Sequence, residues 1–273
     1  MIFVGCSGWS YRDWEGSFYP ASSKDKLAYY ASRFHSVEIN STFYMIPAER
    51  MLLSWVQKAK GFEGFRFSVK LPRDLSHDLL LRNAEAAGHF AQSFEASVLE
   101  IIHKSGFLGS VLLQLPPFFG ARHIENLLKL LSMIDTSKYA YAVEVRNMAL
   151  YSDADLAGSL SEKNVTMVDI DSPEKTLDAV SSKTEVAYIR LHGHNSAEWA
   201  NPDSYGMDRY LYSYSGAELS AIAGKILDVA SRYIDLYVYF NNHPQGNAPM
   251  NASALANMLG MPGAGRSRTL SEY

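Results

Sequence analysis

Along this chain, short runs in which apolar and polar residues alternate are separated by longer stretches whose apolar residues return every three or four positions. Alternation with period two marks half-buried strands, and the longer period marks amphipathic helices. The pattern predicts a first strand Ile2–Cys6 and a helix burying Leu27, Tyr30, Ala31 and Phe34. A second strand, Val37-Glu38-Ile39-Asn40, leads to a helix begun by Pro47 that carries Met51, Leu52, Trp55, Val56 and Ala59 on one stripe. A third strand over 65–70 is closed by Leu71-Pro72 and followed by a helical stretch over about 83–103. The fourth, 111–115, stops at Pro116-Pro117 before a helix with Ile124, Leu127, Leu128 and Leu131. The fifth ends in Val143-Glu144-Val145-Arg146, and Ser152 is placed to cap the next helix.

A sixth strand over 165–170 runs into Asp171-Ser172-Pro173, a start signal for a short helix, and a seventh occupies 186–191. After a long loop, Ser215-Gly216-Ala217-Glu218 forms a capping box, and an eighth strand over 236–240 precedes a last helix near 252–259. Eight strand–helix units in alternation are the number that closes a parallel (β/α)8 TIM barrel, so the expected architecture is α/β with one such barrel. The barrel domain is expected over 1–260, with 261–273, rich in Gly, Ser and Arg, as a tail ordered only in part.

Several strands carry ionisable residues in one phase of the alternation. Glu38 lies between Val37 and Ile39, Glu144 between Val143 and Val145, Asp169 between Val168 and Ile170, and Arg190 between Ile189 and Leu191. With the apolar phase outward, the polar phase points inward. In such barrels the reacting groups sit at the carboxyl ends of the strands. The inward positions there are Glu38, Asn40, Lys70, Gln114, Glu144, Arg146, Asp169, Asp171, Arg190, His192 and Asn241. Apolar layers would fill a barrel at no desolvation cost, so ionisable groups gathered at one end point to function. The structural alternative is a satisfied salt-bridge network of Glu38, Lys70, Glu144 and Arg190 that holds the strands in register.

Residue types separate the chemical readings. Glu38 and Glu144, from distant strands, are candidates for a general acid and base, with Lys70 and His192 completing the catalytic set. Arg146 and Arg190 suit an anionic substrate group, and Trp9, Asn40, Gln114, Asp169, Trp199 and Asn241 complete the expected binding set. The substrate expected is a small polar molecule, phosphorylated or acidic, and no cofactor is required. A second reading places a divalent metal on Glu38, Glu144, Asp169 and His192, as in a phosphodiesterase or a nucleic-acid-processing protein. The neighbouring cations oppose it. A third reading is a binding module without chemistry, in which the aromatic rim holds a sugar or nucleobase.

Composition narrows these readings only slightly. The 273 residues are 47% hydrophobic and 20% charged, with a formal net charge of -4, so no global basic field draws nucleic acid or an anionic membrane. Cys6 is the single cysteine, which excludes an internal disulfide and fits a buried position in the first strand. No secretion signal opens the sequence and no stretch is apolar over a bilayer's thickness, so a cytoplasmic location is expected.

In order along the chain, Ser7-Gly8-Trp9-Ser10-Tyr11, Trp14-Glu15-Gly16-Ser17-Phe18-Tyr19-Pro20, Val37-Glu38-Ile39-Asn40-Ser41-Thr42-Phe43-Tyr44 and Phe67-Ser68-Val69-Lys70 are followed by Gln114-Leu115-Pro116-Pro117, Val143-Glu144-Val145-Arg146, Arg190-Leu191-His192-Gly193 and Tyr239-Phe240-Asn241-Asn242. This succession resembles the DUF72 (YecE-like) family. The resemblance implies a TIM-barrel fold and, the family being one of unknown function, no activity. One departure is Asn147-Met148-Ala149-Leu150-Tyr151, where the family tends to have histidine or serine and then tryptophan after Glu-x-Arg.

Overall fold

In a computed structural model, residues 1–201, 204 and 207–261 are described, so the expected tail over 261–273 lies, apart from Met261, outside the described residues. The architecture is α/β with parallel strands in two sheets. One sheet has the order β1 (Ile2–Cys6), β9 (Asp235–Phe240), β8 (Val186–Leu191), β7 (Asp169–Asp171). The other runs β2 (Ser36–Ile39), β3 (Arg66–Lys70), β4 (Leu108–Gln114), β5 (Ala140–Glu144), β6 (Thr166–Met167).

The regular ladders stop at two seams. Between β6 and β7 lies Val168, whose N–H still donates to Val143 O at 3.0 Å, so the strand expected over 165–170 is divided between the sheets. Between β1 and β2 there is a single parallel bridge, Ser7 to Glu38. Beside it the Tyr30 hydroxyl accepts from Cys6 N at 2.7 Å and donates to Ser36 O at 3.0 Å. Gly5 makes that insertion feasible, because a Cβ on it would fall 2.1 Å from Ser36 O.

Most expected helices form. Asn83 accepts from the N–H groups of Glu85 and Ala86 and so caps Ala84–Phe94, which continues through a wide turn at Glu95–Leu99 into Glu100–Lys104. Ser215 and Glu218 form the capping box of Gly216–Leu227, with Ser215 N donating to Glu218 Oε2 at 2.7 Å. Two expectations fail locally. The cap of Ala154–Glu162 is Asp153, whose carboxylate accepts from Asp155 N and Leu156 N, and not Ser152. No helix follows Pro173: the segment 173–184 is irregular.

Apolar residues on the outer strand faces, such as Val37, Ile39, Val111, Leu113, Ile189 and Leu191, pack into one large core with the helices. A smaller inner cluster joins both sheets and contains Phe3, Leu112, Ala142, Val168, Ile170, Tyr188, Tyr237 and Tyr239. Val168 and Ile170 therefore face inward, which reverses the phase expected of β7. Asp169 and Asp171 point outward, toward the irregular segment whose backbone and hydroxyl groups satisfy them. Ser181 N and Oγ donate to Asp169 at 3.0 and 2.6 Å, and Leu177 N donates to Asp171 at 2.8 Å.

Candidate functional site

At the carboxyl ends of the strands, period-two alternation brings Glu38, Glu144, Arg190 and His192 inward from β2, β5, β8 and the residues after β8, all fully or almost fully buried. Arg190 is the centre of this group. Its two terminal nitrogens donate to Glu144 Oε2 at 2.5 Å and to Glu38 Oε1 at 2.7 Å. Tyr188, two residues earlier on the same face of β8, donates its hydroxyl to Glu38 Oε2 at 2.6 Å. Glu144 Oε1 meets the Arg146 guanidinium in a close ion pair and faces His192 Nε2 at 3.3 Å. Three of the four carboxylate oxygens accept hydrogen bonds, and the fourth, Glu144 Oε1, is held by charge beside Arg146 and His192.

The charges follow from these contacts. Burial alone would push the Glu144 carboxyl up, but Arg146, Arg190 and His192 outweigh it and hold it well below the usual carboxylate range. Burial would likewise favour an uncharged Arg190, yet Glu144 and Glu38 hold its pKa above its usual value, so it stays cationic. His192 is pushed down to about 3, chiefly by burial and then by Arg146. Its Nδ1 lies 3.1 Å from Asn241 Nδ2, a donor, so the neutral ring carries its proton on Nε2, toward Glu144.

Lys70 has different surroundings. Among the described residues its Nζ has no hydrogen-bond or ion-pair partner, and it sits 3.9 Å from the centre of the Phe43 ring. The side chain is only 8% exposed. Burial first, and then the Arg190 charge, bring its pKa down to about 7. The same positive field reaches His77, where burial and then Lys70, Arg73 and Arg146 push the imidazole down to about 4.

Above Arg190 opens a cavity of about 360 Å³. Lys70, Arg190 and the amides of Asn40, Gln114 and Asn241 supply its polar lining, while Tyr11, Tyr44, Met207, Tyr210 and His243 form its walls. Among the described residues no carboxylate lines it. Against two carboxylates stand two guanidinium groups, so a charged Lys70 is the uncompensated member of the group. A neighbouring hollow of about 240 Å³ shares Tyr11, Asn40 and Tyr44 with the cavity and adds Trp9. The His243 ring stacks on Tyr11 at 4.5 Å, and burial pushes it down to about 4, so it is neutral at pH 7.

Of the residues singled out in the sequence, Lys70, Asn40, Gln114, Arg190 and Asn241 line the cavity. Glu38, Glu144 and His192 lie behind it, locked to Arg190 and Arg146. Trp9 lines the neighbouring hollow, with its ring edge-on to Trp55 at 5.4 Å. Trp199 covers the Arg146 guanidinium at 5.4 Å and forms part of the surround, not the lining. Asp169 takes no part, since it faces the segment 173–184. Consequently the four donors of the metal reading do not converge, and no group of three or more His, Cys, Asp or Glu among the described residues is placed to hold a metal ion. Tyr188 is not among the sequence candidates, while Tyr210 belongs to the aromatic rim and His243 to the loop histidines expected at this pole. Tyr188 was legible two positions before Arg190 on the same strand face, whereas Tyr210 and His243 come from loops without periodicity.

Fold and site define an α/β protein of parallel strands with a buried arginine–carboxylate group beneath a cationic, amide-lined cavity. The profile of the family described as "Protein of unknown function DUF72" matches residues 3–272, and the chain belongs to that family. It is 29% identical to UPF0759 protein YunF of Bacillus subtilis over 275 residues, 95% of each protein. It is 28% identical to UPF0759 protein YecE of Escherichia coli strain K12 over 176 residues, 63% of this chain and 60% of that protein. Among solved structures, the DUF72 family protein TM1631 of Thermotoga maritima superposes with a TM-score of 0.82 at 29% identity, over 95% of this chain and 99% of that one. Among the described residues no helix is long and apolar enough to cross a membrane.

Proposed function

We propose that the two sheets are the parts of one eight-stranded barrel and that the chain is an acid–base enzyme acting on a small anionic substrate in the cavity above Arg190. Support for the barrel comes from the two seams, one bridged by Ser7 and Glu38 and the other only a single residue, Val168, wide. The observation that carries the functional reading is the cavity lining, in which Lys70, Arg190 and three amides share one space that no carboxylate among the described residues lines. Amide N–H groups and an uncompensated ammonium bind a carboxylate or phosphate group and repel a metal. Lys70 is the proton-transfer group, because an amine that titrates near 7 exists in both forms at neutral pH. Glu38 and Glu144 hold the Arg190 guanidinium in place.

Calorimetric titration with inorganic phosphate tests this reading. Wild type binds it, and Lys70→Met weakens the binding by roughly tenfold or more, the loss of one charge-assisted contact. Wild type that is folded but binds neither phosphate nor a small carboxylate removes the proposal. A panel of sugar phosphates and small acids then identifies the substrate, with turnover lost in Lys70→Met as the criterion.

A further inference from the structure

We propose that Lys70 is a nucleophile, and that it condenses with the carbonyl group of a small oxo acid held in the cavity to form an imine. This rests on the anion-binding reading above and extends it from proton transfer to covalent chemistry and from anions in general to oxo acids.

A buried lysine kept as a counter-ion has a carboxylate partner. Among the described residues Lys70 has none: Glu38 is paired with Arg190 and Tyr188, and Glu144 lies among Arg190, Arg146 and His192. A lysine kept for packing has its nitrogen in solvent, whereas this residue is 8% exposed and lines a cavity together with other polar residues. The Phe43 ring, 3.9 Å from Nζ, fixes the end of the side chain in place of a hydrogen bond. What remains is an amine held without a partner beside a space suited to an anion. It is unprotonated in a large fraction of molecules at neutral pH, since burial and Arg190 lower its pKa to about 7.

The step balances without a cofactor. The Nζ lone pair attacks the carbonyl carbon, a C–N bond forms, and the carbonyl π pair moves to oxygen. The nitrogen gives up a proton and the oxygen gains one, leaving a neutral carbinolamine. Protonation of its hydroxyl releases water as the nitrogen lone pair closes the C=N bond, and the resulting iminium nitrogen gives its proton back to the carrier, so amine and oxo acid become imine and water. The proton carrier in this scheme is His243, which lines the same cavity and whose ring is neutral at pH 7. Arg190 and the amides of Asn40, Gln114 and Asn241 hold the carboxylate end of the oxo acid.

Borohydride trapping is the test. The full chain is incubated with pyruvate or glyoxylate, reduced with sodium borohydride, weighed by intact-protein mass spectrometry and mapped by peptide digestion. The expected result is one adduct per chain at Lys70, far above the level at the exposed Lys24, and its loss in Lys70→Met. Near-ultraviolet circular dichroism shows that the variant is folded. Inorganic phosphate, which has no carbonyl, suppresses the adduct by competition. If phosphate binds wild type but Lys70 is labelled no more than Lys24, the imine is overturned and the anion site stands. If folded wild type binds neither phosphate nor pyruvate, both readings are overturned.

Discussion

Lys70 is held in place at a cost to stability. Its ammonium titrates at 10.5 in the unfolded chain and at about 7 in the folded one. Below pH 7 both states are charged, and the full burial cost is present. Between about 7 and 10.5 the unfolded chain binds more protons, so the contribution of Lys70 becomes less unfavourable as pH rises. Lys70→Met is therefore expected to stabilise the protein at pH 6 by roughly 1–3 kcal/mol, a gain that shrinks as pH approaches 10.5, measured as urea midpoints across that range. A destabilised variant at pH 6 would mean that the ammonium has a partner. Arg190 is the opposite case. Arg190→Met leaves the buried Glu38 without a counter-charge and Glu144 with Arg146 alone, and is expected to cost roughly 3–5 kcal/mol. Combining it with Glu38→Gln should restore most of that loss in the same urea experiment, since Glu144 keeps Arg146, and no recovery would contradict the pairing. These side chains were legible in the sequence because each ionisable residue sits between β-branched or aliphatic neighbours. Their division of labour was not, since alternation shows which face a glutamate takes but not that an arginine from another strand occupies its oxygens.

At the level of strands and loops, β7 shows where pattern reading loses its basis. Val168 and Ile170 are as compatible with the inner cluster as with a helix-covered outer face, so the alternation alone does not fix the phase. What fixes it is the segment 173–184. Asp171-Ser172-Pro173 carries a helix-start signal, but no apolar stripe follows, and the segment instead supplies donors to the outward acids. Asp169 is the sensitive link. Burial raises its pKa from 3.8 to about 6, against the Ser181 hydrogen bonds that lower it. An acid with a raised folded pKa contributes stability that is fully present below 3.8 and lost as pH rises through 6. Asp169→Asn, which keeps an acceptor for Ser181, should raise the melting temperature at pH 7, by roughly 1–2 kcal/mol in stability, and remove the pH step between 4 and 6. An equal loss at every pH would show that the charge itself is needed.

Across the whole molecule, the alternation of strands and helices was readable from end to end, because each outer strand face buries apolar residues against a helix at its own period. The seams were not readable. They depend on Gly5, which lets the Ser36 carbonyl approach, and on one tyrosine hydroxyl that bonds Cys6 and Ser36 across the gap. Gly5→Ala is expected to destabilise the chain by roughly 1–3 kcal/mol in thermal unfolding, since its Cβ meets backbone that cannot rotate away. An unchanged melting temperature would show that the seam is loose. The seam brings Ser7 beside Glu38, and so brings the first sheet's Arg190 within reach of acids on the second, where the site forms.

The claim on which the functional account turns is that Lys70 is the uncompensated charge facing an anion. Its direct measurement is the affinity of wild type for inorganic phosphate as a function of pH, by calorimetry in buffers of different ionisation enthalpy. Since Lys70 titrates at about 7, affinity should fall by about tenfold per pH unit above that value, with about one proton taken up for each phosphate bound near pH 8, and Lys70→Met should abolish both effects. A pH-independent affinity between 7 and 9, with no proton uptake, would contradict the account.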